Sequence, residues 1–436
     1  MKKIALLTLS IALPLTAMAE ESAQANSKGF VDDSKLDLLY RNFYFYRNFL
    51  NRAPGTQNYV EEWAHALMLN YRSGYTTGTV GFGLDLQGYF AQELDGGPGR
   101  TGSGLMPVGS DGHVQSIQTR VNPVVKMRIS NTVLKYGSQQ PVNPVFNYSD
   151  SRLLPQSYTG FTLQSNEFKD VTLDSGYFTA ASSRVDQDHD SPIGLTFTNS
   201  NARIDARSAR YAGVTYKPTK SLTLVGYGSQ LEDVWNQYYV GGTYAAPIND
   251  KLAFDTAFNL YRTLSEVTEK AGTISNTTWS LAGGLSYGSH RIKLAYQQVD
   301  GDEAFDHQGA QGQYGVLWLA NSVQYSDFNG PNEKSAQIRY DYDFAGAGIP
   351  GLSFMVRYVK GWDIDGSHAN NFYANRYGDD VKQWERDIDL RYVVQSGKAK
   401  GLNFQVRSAT ARATDANALT DLNEVRIITQ YPFSTL

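Results

Sequence analysis

Arginines recur at strand-like positions along this chain: Arg41, Arg47, Arg120, Arg128, Arg339, Arg357, Arg391, Arg407, Arg412 and Arg426. A guanidinium binds a carboxylate through two parallel hydrogen bonds and stays charged at any working pH. A subset of them converging on one wall would form a track that hands a carboxylate from fork to fork, provided each site also releases it. Neighbours such as Asp341, Asp387 and Glu424 would temper several of them. A solute that also carries an amine needs an acid on the opposing wall, and Asp327, within Asn321 to Phe328, is the candidate.

Other chemistry finds little support. Gly97-Pro98-Gly99-Arg100-Thr101-Gly102 matches a dinucleotide-loop pattern but lacks the helix that must follow it to receive phosphate. Gly284-Leu285-Ser286-Tyr287-Gly288 matches a nucleophile elbow, yet Arg291 to Val299 reads as a strand where a helix is required. The histidines, His65, His113, His189, His290, His307 and His368, show no ligand-like spacing. His189 among Asp186, Asp188 and Asp190, and the run Asp363 to Gly366, lack the remaining spacing of a calcium loop. No metal, cofactor or catalytic residue is expected.

The elements that must position these arginines are strands. Arg41 and Arg47 lie in LLYRNFYFYRNF, Leu38 to Phe49. Six apart on a strand, they share a face and stand about 20 Å from each other. An arginine facing lipid at midplane costs a barrel roughly 2–4 kcal/mol, so both are expected to face water, with Tyr40, Tyr44 and Tyr46 on the outward side. From about Lys35 onward, segments of alternating apolar and polar residues are broken by Gly, Asn, Asp and Pro clusters, as in Asp387 to Tyr392 and Leu402 to Arg407. Tight breaks such as Lys217 to Lys220 and Ala245 to Asp250 contrast with long polar stretches at Asp95 to Ser116 and Ser183 to Ser200.

Period two by itself leaves two folds open, a soluble sandwich with the apolar face inward and a transmembrane barrel with that face outward. Composition favours the barrel. The chain carries 29 Tyr, 20 Phe and 6 Trp at a mean hydropathy of −0.41, and after its start no run approaches the roughly 18 apolar residues of a spanning helix. Lys2 and Lys3, the apolar stretch Ile4 to Leu15 and small-residue patterns at Ala17 to Ala19 and Ala23 to Ala25 read as a secretory signal, residues 1–25, cleaved after Ala19 or Ala25. One domain is expected over residues 26–436. There is no cysteine, so neither a disulfide nor a thiolate metal site exists, and the net charge of −4 argues against a nucleic-acid partner.

Five long segments resemble the OprD family of outer-membrane carboxylate channels: Gly29 to Phe49, Ser151 to Phe168, Leu319 to Ser335, Gly348 to Gly366 and Tyr392 to Arg407. The resemblance covers essentially the whole mature chain. It implies a monomeric antiparallel β-barrel of about 18 strands, inserted by the outer-membrane assembly machinery of a Gram-negative bacterium, surrounded by lipid and narrowed by inward-folded loops. Position by position, it implies a basic ladder at Arg47, Arg152, Arg407 and Arg426 and an eyelet lined by Ser322, Tyr325 and Asp327. Arg41, Arg120, Arg391 and Arg412 remain further lumen candidates. Gln405 stands where a family member has another ladder arginine, and His307 where it has an eyelet tyrosine; Ser183 to Asn201 departs from that member's loop. The function this implies is passive uptake of small carboxylate solutes, basic amino acids and short peptides first, with carbapenems entering as mimics. A benzoate-type aromatic-acid channel is the alternative, ahead of an outer-membrane enzyme or adhesin.

Overall fold

The computed structural model describes residues 22–198, 203–310, 315–415 and 419–434. Most of the expected signal peptide lies outside the described residues. Eighteen strands form one antiparallel sheet whose last strand pairs with its first, so the sheet closes into a barrel. In chain order they are β1 Lys35–Phe49, β2 Tyr59–Arg72, β3 Val80–Asp95, β4 Ile117–Ile129, β5 Thr132–Gln139, β6 Ser157–Ser165, β7 Val171–Ser182, β8 Ala209–Tyr216 and β9 Leu222–Leu231. There follow β10 Trp235–Pro247, β11 Leu252–Ser265, β12 Ser275–Tyr287, β13 His290–Asp300, β14 Lys334–Asp343, β15 Leu352–Ile364, β16 Val381–Val393, β17 Asn403–Ala413 and β18 Leu422–Ser434.

The choice left open by period two is settled in β4. Gln118, Arg120, Asn122 and Lys126 are buried, while Val121 and Val125 are 58% and 56% exposed. Polar inside and apolar outside is the reverse of a soluble sandwich and is what a lipid-facing barrel requires. The same phase in β1 buries Arg41, Phe43 and Phe45 and leaves Tyr40, Tyr44 and Tyr46 on the outward side. Closure leaves no strand edge, so every backbone group along the sheet finds a neighbour where water is absent.

Short turns join the strands at one end of the barrel, as at Gly288 between β12 and β13, and long loops join them at the other. Residues 96–116, 140–156 and the described parts of 183–208 and 301–333 contribute inward. A small antiparallel sheet, Ile193–Leu195 with Asp205–Ala206 and Gln308–Ala310, ties the last two together. Apolar residues from these loops pack against the inner wall of β6 to β11, where Phe146, Leu195 and Phe305 join Tyr158, Phe178, Trp235 and Tyr261. A second group, Leu105, Met106, Leu153 and Leu154, packs on Phe43 and Phe45. The loops thus fill one side of the lumen with apolar matter and leave the charged wall of β13 to β18 and β1 lining what remains.

Candidate functional site: an arginine-lined constriction

The loop 140–156 is bolted to the wall by arginines. Arg41 grips Asp150 with both Nη atoms, at 2.7 and 2.9 Å, and donates to the carbonyls of Arg152 and Leu153. Arg120 donates to the carbonyls of Pro155 and Ser183 at 2.5 and 2.6 Å. Both guanidiniums are buried. The Nη atoms of both are taken up by the protein itself, which corrects the lumen expectation for Arg41 and Arg120: they point inward but are buried beneath the loops they hold.

The loop so held delivers Arg152 to a meeting point. The Arg47, Arg152 and Arg426 guanidinium carbons lie 5.1, 4.8 and 5.6 Å from the centre of the buried Phe45 ring. A ring face tolerates several cations because its quadrupole is negative at the face. One fully buried carboxylate, Glu424, serves two of the three: Arg47 Nη2 at 2.5 Å and Arg426 Nε at 2.5 Å. Arg152 donates to Ser103 and Ser151 carbonyls, at 2.8 and 2.9 Å. Burial first, then Arg426, Arg184 and Arg47, pull its guanidinium well down from the ordinary range. Three guanidiniums around one carboxylate leave an excess of positive charge at this level of the barrel.

From there the basic wall runs toward the short-turn end. Register places Arg426 opposite Arg407, Arg407 opposite Asp389, Asp387 opposite Arg357, Arg357 opposite Arg339, and Arg339 opposite Lys293. Six adjacent strands therefore carry the row, five with a cation and one with the two acids. Asp389 pairs with Arg407 at 3.3 Å and Asp387 with Arg357 at 2.5 Å. Below the row a cavity of 840 Å³ is lined by Arg291, Arg339, Arg357, Arg391 and Arg407 with Asp341 and Asp389. Arg391 is exposed there and sits directly across from Gln405. The charge that Gln405 does not carry is thus present on the adjacent strand, and Gln405 instead donates to Asp389 at 2.7 Å.

A lip over these strands comes from the described residues 315–333. Backbone N–H groups of Tyr325 and Ser326 donate to Glu385 at 2.9 and 2.7 Å, and Gln324 donates to Glu424 at 3.0 Å. This pins Tyr325 with its ring 4.9 Å from the Arg47 guanidinium carbon. Ser322 donates to Asp327. Burial pushes the Asp327 carboxyl up to about 6. Ser322, Tyr325 and Asp327 are thus half-buried on one loop, with Tyr325 against the arginine cluster and Ser322 and Asp327 bonded to each other.

Two expectations fail. His307 is 6% exposed and stacks edge-on to Phe197 at 5.5 Å, set within the packed loops and not at an open eyelet. Burial lowers its imidazole to about 4, so it stays neutral. Arg412, an odd number of residues from Arg407 on the same strand, faces outward at the long-loop rim, donating to the Ala411 and Leu422 carbonyls at 2.7 and 2.6 Å. What the sequence left unnoticed is Phe45: a buried phenylalanine reads as core until three arginines are seen around it.

A closed barrel with an apolar exterior and a charged, loop-narrowed lumen is an outer-membrane channel. The model of the outer membrane porin OprD family matches residues 28–435. Porin D of Pseudomonas aeruginosa is 45% identical over 95% of this chain and 94% of its own length, and porin-like protein GalP of Pseudomonas putida is 34% identical over 98% and 97%. The crystal structure of Pseudomonas aeruginosa OprD superposes with a TM-score of 0.82 at 42% identity, covering 96% of this chain and all of that one. A BenF-like porin from Pseudomonas fluorescens gives a TM-score of 0.86 at 32% identity over 93% of this chain and all of its own. The chain belongs to the OprD family, and as such is an outer-membrane porin of a Gram-negative bacterium.

Proposed function

We propose that this porin carries small carboxylate-bearing solutes passively across the outer membrane, with basic amino acids and short peptides as its preferred cargo and carbapenems entering as their mimics. The observation that carries this reading is the convergence of Arg47, Arg152 and Arg426 on Phe45 with a single carboxylate, Glu424, paired to Arg47 and Arg426. A solute carboxylate completes that charge balance for a moment and then moves on to Arg407 and Arg391, whose own partners keep each stop shallow. Asp327 and Tyr325, on the loop seated over these strands, would offer an ammonium or guanidinium end a carboxyl and a ring face. One relative was crystallised with vanillate, an aromatic acid.

The test is liposome uptake with arginine, a short basic peptide and benzoate, together with single-channel recordings over a panel of amino acids. Faster arginine flux supports the reading. Preferential benzoate flux would replace it with the aromatic-acid alternative, and equal flux of a neutral sugar would remove carboxylate selectivity altogether.

A further inference from the structure

The outward face of β15 to β17 carries cations where a barrel wall meets the outer leaflet. Below, this face is apolar, with Ile388, Leu390, Phe404 and Val406 exposed on it. One rung higher, Tyr358 pairs with Arg386 and Arg386 with Thr410; one rung higher again, Lys360 pairs with Trp384 and Trp384 with Arg412. Lys360 and Arg412 therefore flank Trp384, and Arg386 lies beneath it, a triangle with sides of roughly 8–10 Å by strand spacing and rise. Tyr358 stacks on Trp384 at 5.7 Å, the kind of aromatic pair that marks the head-group level.

None of the three cations has a carboxylate among the described residues. Arg386 reaches only the Thr410 hydroxyl, at 3.3 Å, and Arg412 takes two carbonyls and the Asn423 side chain. The acids nearest this rim have other partners: Asp363 pairs with Lys334 at 2.9 Å, Asp380 with Lys382 at 3.5 Å, and Asp421 accepts from the Ala413 N–H and from Asn51, each at 2.7 Å. Facing outward, these side chains cannot serve the lumen. A cation near the interface costs a barrel little, but three of them around one tryptophan, without an acid, call for an external anion.

We propose that Lys360, Trp384, Arg386 and Arg412 form a binding surface for the phosphate-bearing head group of an outer-leaflet lipid. The cations engage the phosphate oxygens, with the arginine forks able to take two at once. Trp384 and Tyr358 seat the glycerol or sugar moiety, and the apolar band beneath receives the acyl chains.

The test uses the full-length barrel purified in detergent and incubated with a diphosphorylated glycolipid or its enzymatically dephosphorylated form, bound lipid being counted by native mass spectrometry. The wild type is expected to retain the phosphorylated form preferentially. The variant K360S/R386S/R412S should bind it on the order of ten- to a hundredfold more weakly, from roughly 1 kcal/mol of attraction per interfacial cation, and K360R/R386K/R412K should keep it. Equal retention of both lipid forms by the wild type, or unchanged binding by the serine variant, would overturn the proposal. So would competition by millimolar inorganic phosphate, which would make the patch a free-anion site. The wild-type comparison decides the matter even if the serine variant fails to assemble.

Discussion

Arg407 and Arg426 are cross-strand neighbours in very different surroundings, so the same substitution separates transport from stability. Arg407 is 26% exposed and 3.3 Å from Asp389; Arg426 is 3% exposed and shares the fully buried Glu424. Arg407→Ala is expected to lower carboxylate flux severalfold while the barrel keeps its resistance to heat in detergent. Arg426→Ala is expected to lower both, because breaking a buried pair costs roughly 3–5 kcal/mol, reduced here by Arg47, which still holds Glu424. Liposome flux and heat-modified gel mobility, measured on both variants, check the contrast, and equal stability loss in the two would contradict it. Asp327 adds a pH dependence. With its carboxyl raised to about 6, it is charged above that pH and neutral below it. Flux of arginine relative to a purely anionic carboxylate should therefore fall as pH drops through about 6. Asp306, raised to about 6, and Glu333, raised to about 7, titrate in the same window. Asp327→Asn should flatten the ratio if Asp327 is responsible. His307, near 4, stays uncharged throughout.

At the scale of elements, the strands were legible in the sequence and the loops were not. Alternation over ten residues fixes which side chains share a face, as Arg41 and Arg47 do. It carries no information on whether an arginine on the water side ends in open lumen or beneath a folded loop, because that depends on contacts more than a hundred residues away, such as Arg41 with Asp150. Parity could have excluded Arg412, since five residues separate it from Arg407; only the observed register makes that decisive. The bolt formed by Arg41 leads to a prediction about the loop it holds. Arg41→Ala removes a bidentate ion pair and leaves two carbonyls without their donor. Arg152 then loses its fixed seat over Phe45. Single-channel conductance is expected to rise, and discrimination between arginine and a neutral solute to fall, with circular dichroism still reporting a β-barrel. A conductance equal to that of the wild type would mean that the apolar contacts of Leu153 and Leu154 suffice to hold the loop.

For the molecule as a whole, composition and turn lengths pointed to the barrel, and the inverted burial in β4 decided it against a sandwich. The site was half legible: arginine is conspicuous in a strand, whereas the phenylalanine that gathers three of them looks ordinary. The beginning of the mature chain bears on contacts of the same long-range kind. The sequence offers cleavage after Ala19 or after Ala25, and Gln24 lies between them. It is 3% exposed at the short-turn end. Its amide donates to the Thr76 and Gly78 carbonyls at 2.9 and 3.0 Å and accepts from Arg128 at 2.9 Å, while its backbone N–H bonds Ser130 at 3.1 Å. A Cβ on Gly81 would fall 2.4 Å from that amide, so the seat is shaped to it. Cleavage after Ala25 would discard this residue and the hydrogen bonds by which it ties the Thr76–Gly78 turn to Arg128 and Ser130. Cleavage after Ala19 retains it. N-terminal sequencing of the outer-membrane protein is therefore expected to begin at Glu20, and Gln24→Ala to lower the unfolding midpoint in denaturant; a first residue of Asn26 would show that the barrel closes this end without Gln24.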